Sequence, residues 1–216
     1  MPASKRSEII RTLQRLEEQI RFLPQPMGDL LVAYKGRDPF MLLIACVLSQ
    51  RARDSITYPI VLQLFERIHT PHELLAMPLI ELEQLLKPLG VNRSKARTLH
   101  AIARKLIDRH QGIVPEDEGA LLELPGVGPK TAAFVLSYAW GHPALCVDTH
   151  VHRLANKFKW VRTKTTAATE KALKALVPSF YWNRVNRVLV TWGQQVCKPR
   201  LKFHRSGIDI RCPCSK

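Results

Sequence analysis

The sequence predicts a nearly all-α protein, and three observations carry that prediction. Apolar residues recur three and four positions apart along most of the chain, the spacing that builds one helical face. No stretch alternates apolar and polar residues for long enough to argue for a sheet. Proline and glycine fall mostly between the periodic segments, where they punctuate helices.

The elements follow in order. Ile9, Leu13, Leu16 and Ile20 mark the apolar face of a first helix, and Pro24 and Pro26 break the chain after it. Phe40–Ser49 is apolar on every side, as a central buried helix would be. The next helix, Ser55–Ile68, has Pro59 near its start and offers Ile60, Leu62 and Phe65 to the core. Thr70-Pro71 reads as an N-cap followed by proline at the first helical position. A short helix, Glu81–Leu86, ends near Pro88-Leu89-Gly90. In Ser94–Arg109, Leu99, Ile102 and Leu106 share one side with basic residues around them. Turn-forming residues follow Gly112, and two helices then flank Pro125-Gly126-Val127-Gly128. His150–Lys157, Ala167–Leu176 and Tyr181–Val196 complete the helical part.

At 216 residues, 46% of them hydrophobic, the chain can bury a core and fits one or two domains. No apolar run approaches the roughly 20 residues of a membrane span, and no signal-peptide core follows the basic N-terminus. A cytoplasmic monomer is the expectation. The charge is more informative. Thirty-three Lys and Arg against eighteen Asp and Glu leave a formal +15. Such an excess suits a polyanion, because each phosphate neutralised releases condensed counterions. Cys46 and Cys146 stand in apolar contexts and read as small buried hydrophobes. Cys197, Cys212 and Cys214 cluster near the C-terminus, more like a metal site than a disulfide framework.

The most specific stretch is Leu124-Pro-Gly-Val-Gly-Pro-Lys-Thr-Ala132. Gly126 and Gly128, with Val127 between them, allow positive φ and a tight reversal, and bring backbone N–H groups within reach of a phosphate. Leu121, Leu122 and Leu124 before the turn, and Ala132, Val135 and Leu136 after it, would pack the two helices together. Lys130 lies just inside the second helix. The positive end of that helix disfavours a merely stabilising cation and would depress the lysine's pKa. A neutral amine is the form that attacks a sugar C1′. Eighteen positions on stands Val147-Asp148-Thr149-His150. Asp148 reads as an N-cap and equally as a fixed carboxylate that would stabilise oxocarbenium character at C1′. The two uses are compatible, since a cap holds the side chain in place.

With these residues in hand, the chain resembles the endonuclease III family of DNA glycosylases/AP lyases. The resemblance runs in order through Leu42–Asp54, the Gly90–Ala96 turn, the hairpin with its lysine, Val147–His150 and Gly193–Cys197. It implies two α-helical domains with a DNA cleft between them and a helix-hairpin-helix motif. One domain would be about residues 30–140, the other 1–29 with 141–216. Lys130 would be the Schiff-base nucleophile and Asp148 the catalytic aspartate. The damaged base would be flipped out of double-stranded DNA. Either Gln50 or Arg51 would fill the gap, and Val91 would act as a wedge. Ser94, Lys95, Leu124, Gly126, Val127, Gly128 and His150 complete the expected DNA contacts, and Asp54 is either a pocket residue or a salt-bridge partner. The partner implied is a duplex carrying damaged bases or abasic sites.

The chain departs from the family at its C-terminal end. Most members carry Cys-x6-Cys-x2-Cys-x5-Cys around a 4Fe–4S cluster. Here Cys197 is in place, but seven positions on stands His204, followed by Cys212 and Cys214. Three clustered cysteines cannot make the four-thiolate set. Loss of the cluster is the favoured reading; an iron–sulfur or zinc site of three cysteines and a histidine, or a disordered remnant, are the others. The chemistry itself requires no cofactor. Oxidised pyrimidines are the lesions the resemblance implies. The rivals are a monofunctional uracil or thymine mismatch glycosylase and a non-catalytic helix-hairpin-helix DNA-binding protein.

Overall fold

The computed structural model describes residues 3–197, and His204, Cys212 and Cys214 lie outside the described residues. Among the described residues all regular structure is helical. The chain divides into two units, one of Met27–His142 and one of Met1–Pro26 with Pro143–Lys216.

The continuous unit is built around α3 (Pro39–Ser49). Its start is set by Asp38, whose carboxylate accepts from the Met41 N–H, and by Pro39 at the first helical position. Every residue from Phe40 to Leu48 is buried, because α3 is covered on all sides. α2 (Met27–Lys35), α4 (Asp54–Phe65), α7 (Asn92–His110) and α9 (Pro129–Val135) pack against it. α5 (Pro71–Ala76) and α6 (Leu79–Leu85) pack on α7, whose Leu99, Ile102 and Leu106 face inward. Thr70 opens α5 with a capping box, its hydroxyl accepting from Glu73 N–H while Glu73 accepts from Thr70 N–H. α8 (Glu118–Leu122) precedes the hairpin, capped by Asp117.

α2 has no signature in the periodicity. Its Gly28 lies on the stacked rings of Phe134 and Tyr138, whose centroids are 4.6 Å apart. A Cβ at Gly28 would stand 2.7 Å from the Tyr138 ring, so glycine is what lets this helix approach. Tyr138 belongs to a turn of π-helix, Leu136–Trp140, that prolongs α9.

The second unit joins α1 (Ala3–Ile20) to α10 (Thr149–Lys157), α11 (Thr166–Leu176) and α12 (Trp182–Gln195). Ile9, Leu13, Leu16 and Ile20 are buried, and α1 packs on α12 with Glu17 paired to Arg184. The Gln25 side-chain amide ends α1 by donating to the carbonyls of Ile20 and Leu23. α10 packs on both α11 and α12. Its Asn156, His152 and the hydroxyls of Thr163 and Thr169 form one buried polar network. Thr169 donates to the Thr165 carbonyl, and its hydroxyl oxygen lies 2.6 Å from His152 Nδ1.

Two expected core contacts fall short. Leu122 is 40% exposed, because α8 is a single short turn that presents only Leu121 inward. Leu62 packs on the core only in part, since Ile60, Val61, Leu64 and Phe65 take the inner face of α4.

Candidate functional site

The hairpin turns at Gly126, whose φ of +73° is a left-handed conformation that favours glycine. Gly128 is different. Its backbone is extended, φ −105° and ψ 179°, and a Cβ there would meet nothing within 4 Å. The expectation that both glycines serve the reversal is therefore corrected: only Gly126 does. The Val127 N–H is used inside the turn, on the Leu124 carbonyl. The N–H groups of Gly126 and Gly128 make no hydrogen bond to the described residues. The Leu124 and Val127 side chains are buried, at 2% and 7% exposure, and anchor the turn.

Lys130 is the second residue of α9 and is exposed. The expected desolvated lysine is thus not what the chain alone presents. Beneath it lies Cys46, hydrogen-bonded to the Thr131 side chain. Burial pushes the Cys46 thiol up to about 11, while the Thr131 hydrogen bond and the Lys130 charge pull it down and Asp54 adds a smaller upward push. Cys46 is buried, as its apolar context predicts. Its proximity to Lys130 and Asp54 had no signal in the sequence.

The end of α3 carries Gln50 and Arg51, both exposed. All four terminal carbonyls of the helix are satisfied, as buried or half-buried backbone requires. The Ser49 hydroxyl donates to the Cys46 carbonyl. Gln50 N–H donates to Val47, and Ala52 N–H to Ser49. The Leu48 carbonyl takes the Lys95 ammonium at 2.6 Å, and the same ammonium donates to the Gln50 carbonyl at 2.9 Å. Lys95 is only 8% exposed, and burial holds its pKa below the ordinary lysine value. Its expected place as a DNA contact is corrected accordingly: the cation faces the C-terminal carbonyls of α3, where the helix dipole favours it. The Gln50 amide donates to the Gly126 carbonyl at 2.8 Å and lies 3.4 Å from the Thr131 hydroxyl. Arg51 has φ +58°, and Val91, 68% exposed, has φ +38°. A β-branched residue in that region is strained. Ser94 is exposed on the first turn of α7.

In the other unit, Asp148 is the N-cap of α10, its Oδ1 accepting from the Val151 N–H at 2.8 Å. The His150 ring covers Gly193 of α12, where an added Cβ would stand 2.5 Å from Nδ1. Arg153 and Lys157, one turn apart on α10, both donate to the Cys197 sulfur, at 3.4 and 3.3 Å. Of the expected metal ligands only Cys197 is among the described residues, which contain no group of three or more His, Cys, Asp or Glu placed to hold a metal. Three clustered cysteines do not fit a four-thiolate cluster. No helix among the described residues is long and apolar enough to cross a membrane.

Comparison with known proteins gives consistent matches. Residues 44–179 match the family described as HhH-GPD superfamily base excision DNA repair protein. Endonuclease III of Thermotoga maritima is 45% identical over 167 residues, 77% of this chain and 78% of that protein. A solved structure of a non-covalent endonuclease III–DNA complex superposes with a TM-score of 0.81 at 34% identity, over 91% of this chain and 89% of that one. A trapped endonuclease III–DNA covalent intermediate superposes with a TM-score of 0.80 at the same identity and coverage.

Proposed function

Because the chain belongs to the endonuclease III family, within the HhH-GPD superfamily of base excision DNA repair proteins, it is a DNA glycosylase with AP lyase activity, and we propose that Lys130 and Asp148 carry its chemistry. The observation that carries this assignment is the hairpin. Gly128 is a glycine that the fold does not need; its N–H and that of Gly126 have no partner among the described residues, and an exposed lysine stands two positions on. Such a surface suits a phosphate backbone brought close to the amine.

The basic surface and the hairpin hold the duplex through phosphates, with Gly126 and Gly128 donating from the backbone. The lesion leaves the stack. Arg51 fills the vacated space and Val91 wedges the stack, while Gln50, held on the hairpin carbonyl, braces Arg51. Covering DNA excludes water from around Lys130 and holds its amine beside C1′. The Lys130 amine attacks C1′, the C1′–base bond breaks, and the base departs with a proton. Asp148, its plane fixed by the α10 cap, stabilises the positive charge that develops at the sugar. The C1′–O4′ bond then opens, O4′ taking a proton as the lysine nitrogen forms the imine, and the imine acidifies C2′. Loss of a C2′ proton then expels the 3′ phosphate, and hydrolysis of the imine frees the enzyme. Oxidised pyrimidines are the proposed lesions, and DNA in the cytoplasm the proposed place of work. No step uses a cluster or a metal.

Duplexes carrying thymine glycol test this reading, the products being resolved on a denaturing gel with and without alkali. Nicking without alkali is the predicted outcome. Nicking that appears only after alkali would mean base release without lyase chemistry, and would overturn the Lys130 assignment.

A further inference from the structure

One lysine is bonded to Val91 and to Gln50, the residue before Arg51, in the two loops assigned to enter the duplex. The Lys95 backbone N–H donates to the Val91 carbonyl at 3.0 Å. Its ammonium donates to the carbonyl of Gln50, the residue before Arg51, and to Leu48 two positions further back. Arg51 and Val91 are both exposed and both left-handed, conformations that non-glycine residues hold only when their surroundings impose them. The two loops are 40 positions apart in sequence, and each has an end tied to the same side chain or its backbone. No carboxylate among the described residues pairs with this buried cation; its oxygen partners are backbone carbonyls. The bond to Leu48 caps α3; the second bond, to the Gln50 carbonyl past the last helical residue, ties the same ammonium to the Arg51 loop.

We propose that Lys95 is a positioning residue that clamps the Arg51 and Val91 loops at one fixed separation, so that both side chains enter the duplex together and extrude the lesion. The clamp acts on base extrusion and leaves bond cleavage to Lys130 and Asp148. The Gln50 amide on the Gly126 carbonyl extends the same bracing to the hairpin. This inference rests on the roles given above to Arg51 and Val91.

The test separates extrusion from chemistry. Single-turnover excision of thymine glycol is measured on a fully paired duplex and on one where the lesion faces a tetrahydrofuran abasic analogue. In the second duplex the lesion has no pairing partner and costs little to flip. Lys95→Met keeps the buried stem and removes the ammonium. It is assayed at a temperature where circular dichroism shows it folded. The clamp predicts a loss of about tenfold or more on the paired duplex and less than about threefold on the unpaired one. Equal losses on both duplexes, or no loss on either, would overturn it. If Lys95→Met does not fold, Lys95→Arg takes its place, with a paired-to-unpaired ratio lowered by about threefold as the prediction and an unchanged ratio as the refutation. Wild type inactive on both duplexes would instead overturn the glycosylase reading itself, and the clamp with it.

Discussion

The His150 ring occupies the space that a side chain at position 193 would need: a Cβ on Gly193 would lie 2.5 Å from Nδ1 and 2.9 Å from the ring's Cγ. His150 is two residues beyond Asp148, so this contact between α10 and α12 also sets how the capping carboxylate is carried. Gly193→Ala forces the helices apart. The expected cost is about 1–3 kcal/mol, from overpacking. Thermal unfolding measures the loss, and AP lyase activity should fall with it at temperatures where the variant is still folded, because Asp148 moves with α10.

Gly128→Ala should behave in the opposite way. Its extended backbone suits alanine, and the added methyl meets no protein atom within 4 Å. Stability should stay within about 0.5 kcal/mol of wild type. Affinity for duplex DNA should weaken about tenfold if, as proposed, a phosphate approaches the hairpin at this position. Fluorescence anisotropy at fixed salt reads the affinity. Unchanged binding would show that the hairpin is a simple turn.

Val91→Gly sets strain against function. Glycine accepts φ +38° without penalty, and the relief exceeds the extra unfolded-state entropy of glycine, for a net gain of about 1 kcal/mol. The same change removes the wedge. A more stable protein that excises paired lesions more slowly is the expected pair of results, read by denaturant unfolding and single-turnover excision.

Cys46 supplies a pH dependence with a definite sign. Burial raises its thiol from the ordinary cysteine range to about 11. A group raised on folding contributes stability that is present below its unfolded pKa and lost as pH rises through the folded one. Between pH 9 and 11, wild type should therefore lose stability relative to Cys46→Val, by about 2 kcal/mol. Parallel denaturant titrations of the two proteins check this. Identical pH profiles would contradict it.

What could be read from the residues alone divides along physical lines. The α3 core and the first helix were legible because continuous or periodic apolar residues leave few ways to bury them. The hairpin was legible because Leu-Pro-Gly-Val-Gly combines turn chemistry with apolar flanks. Caps such as Thr70 and Asp148 announced themselves by type and position. Lys95 did not. A lysine in a basic helix reads as solvent-facing, and only the meeting of residues 47 apart shows its ammonium under α3. The α2 helix was missed for a related reason: its packing depends on Gly28 meeting the Tyr138 ring, a contact without local signature. Gly126 and Gly128 look equivalent as letters, and their different φ values separate a glycine that the turn needs from one that it does not.

The central claim is that Lys130 forms an imine with C1′. Sodium borohydride trapping tests it directly, on duplex DNA with an abasic site, comparing wild type with Lys130→Ala. A covalent protein–DNA band from wild type and none from Lys130→Ala is the predicted result. No band from wild type on DNA that it demonstrably binds, or an equal band from Lys130→Ala, would contradict the account.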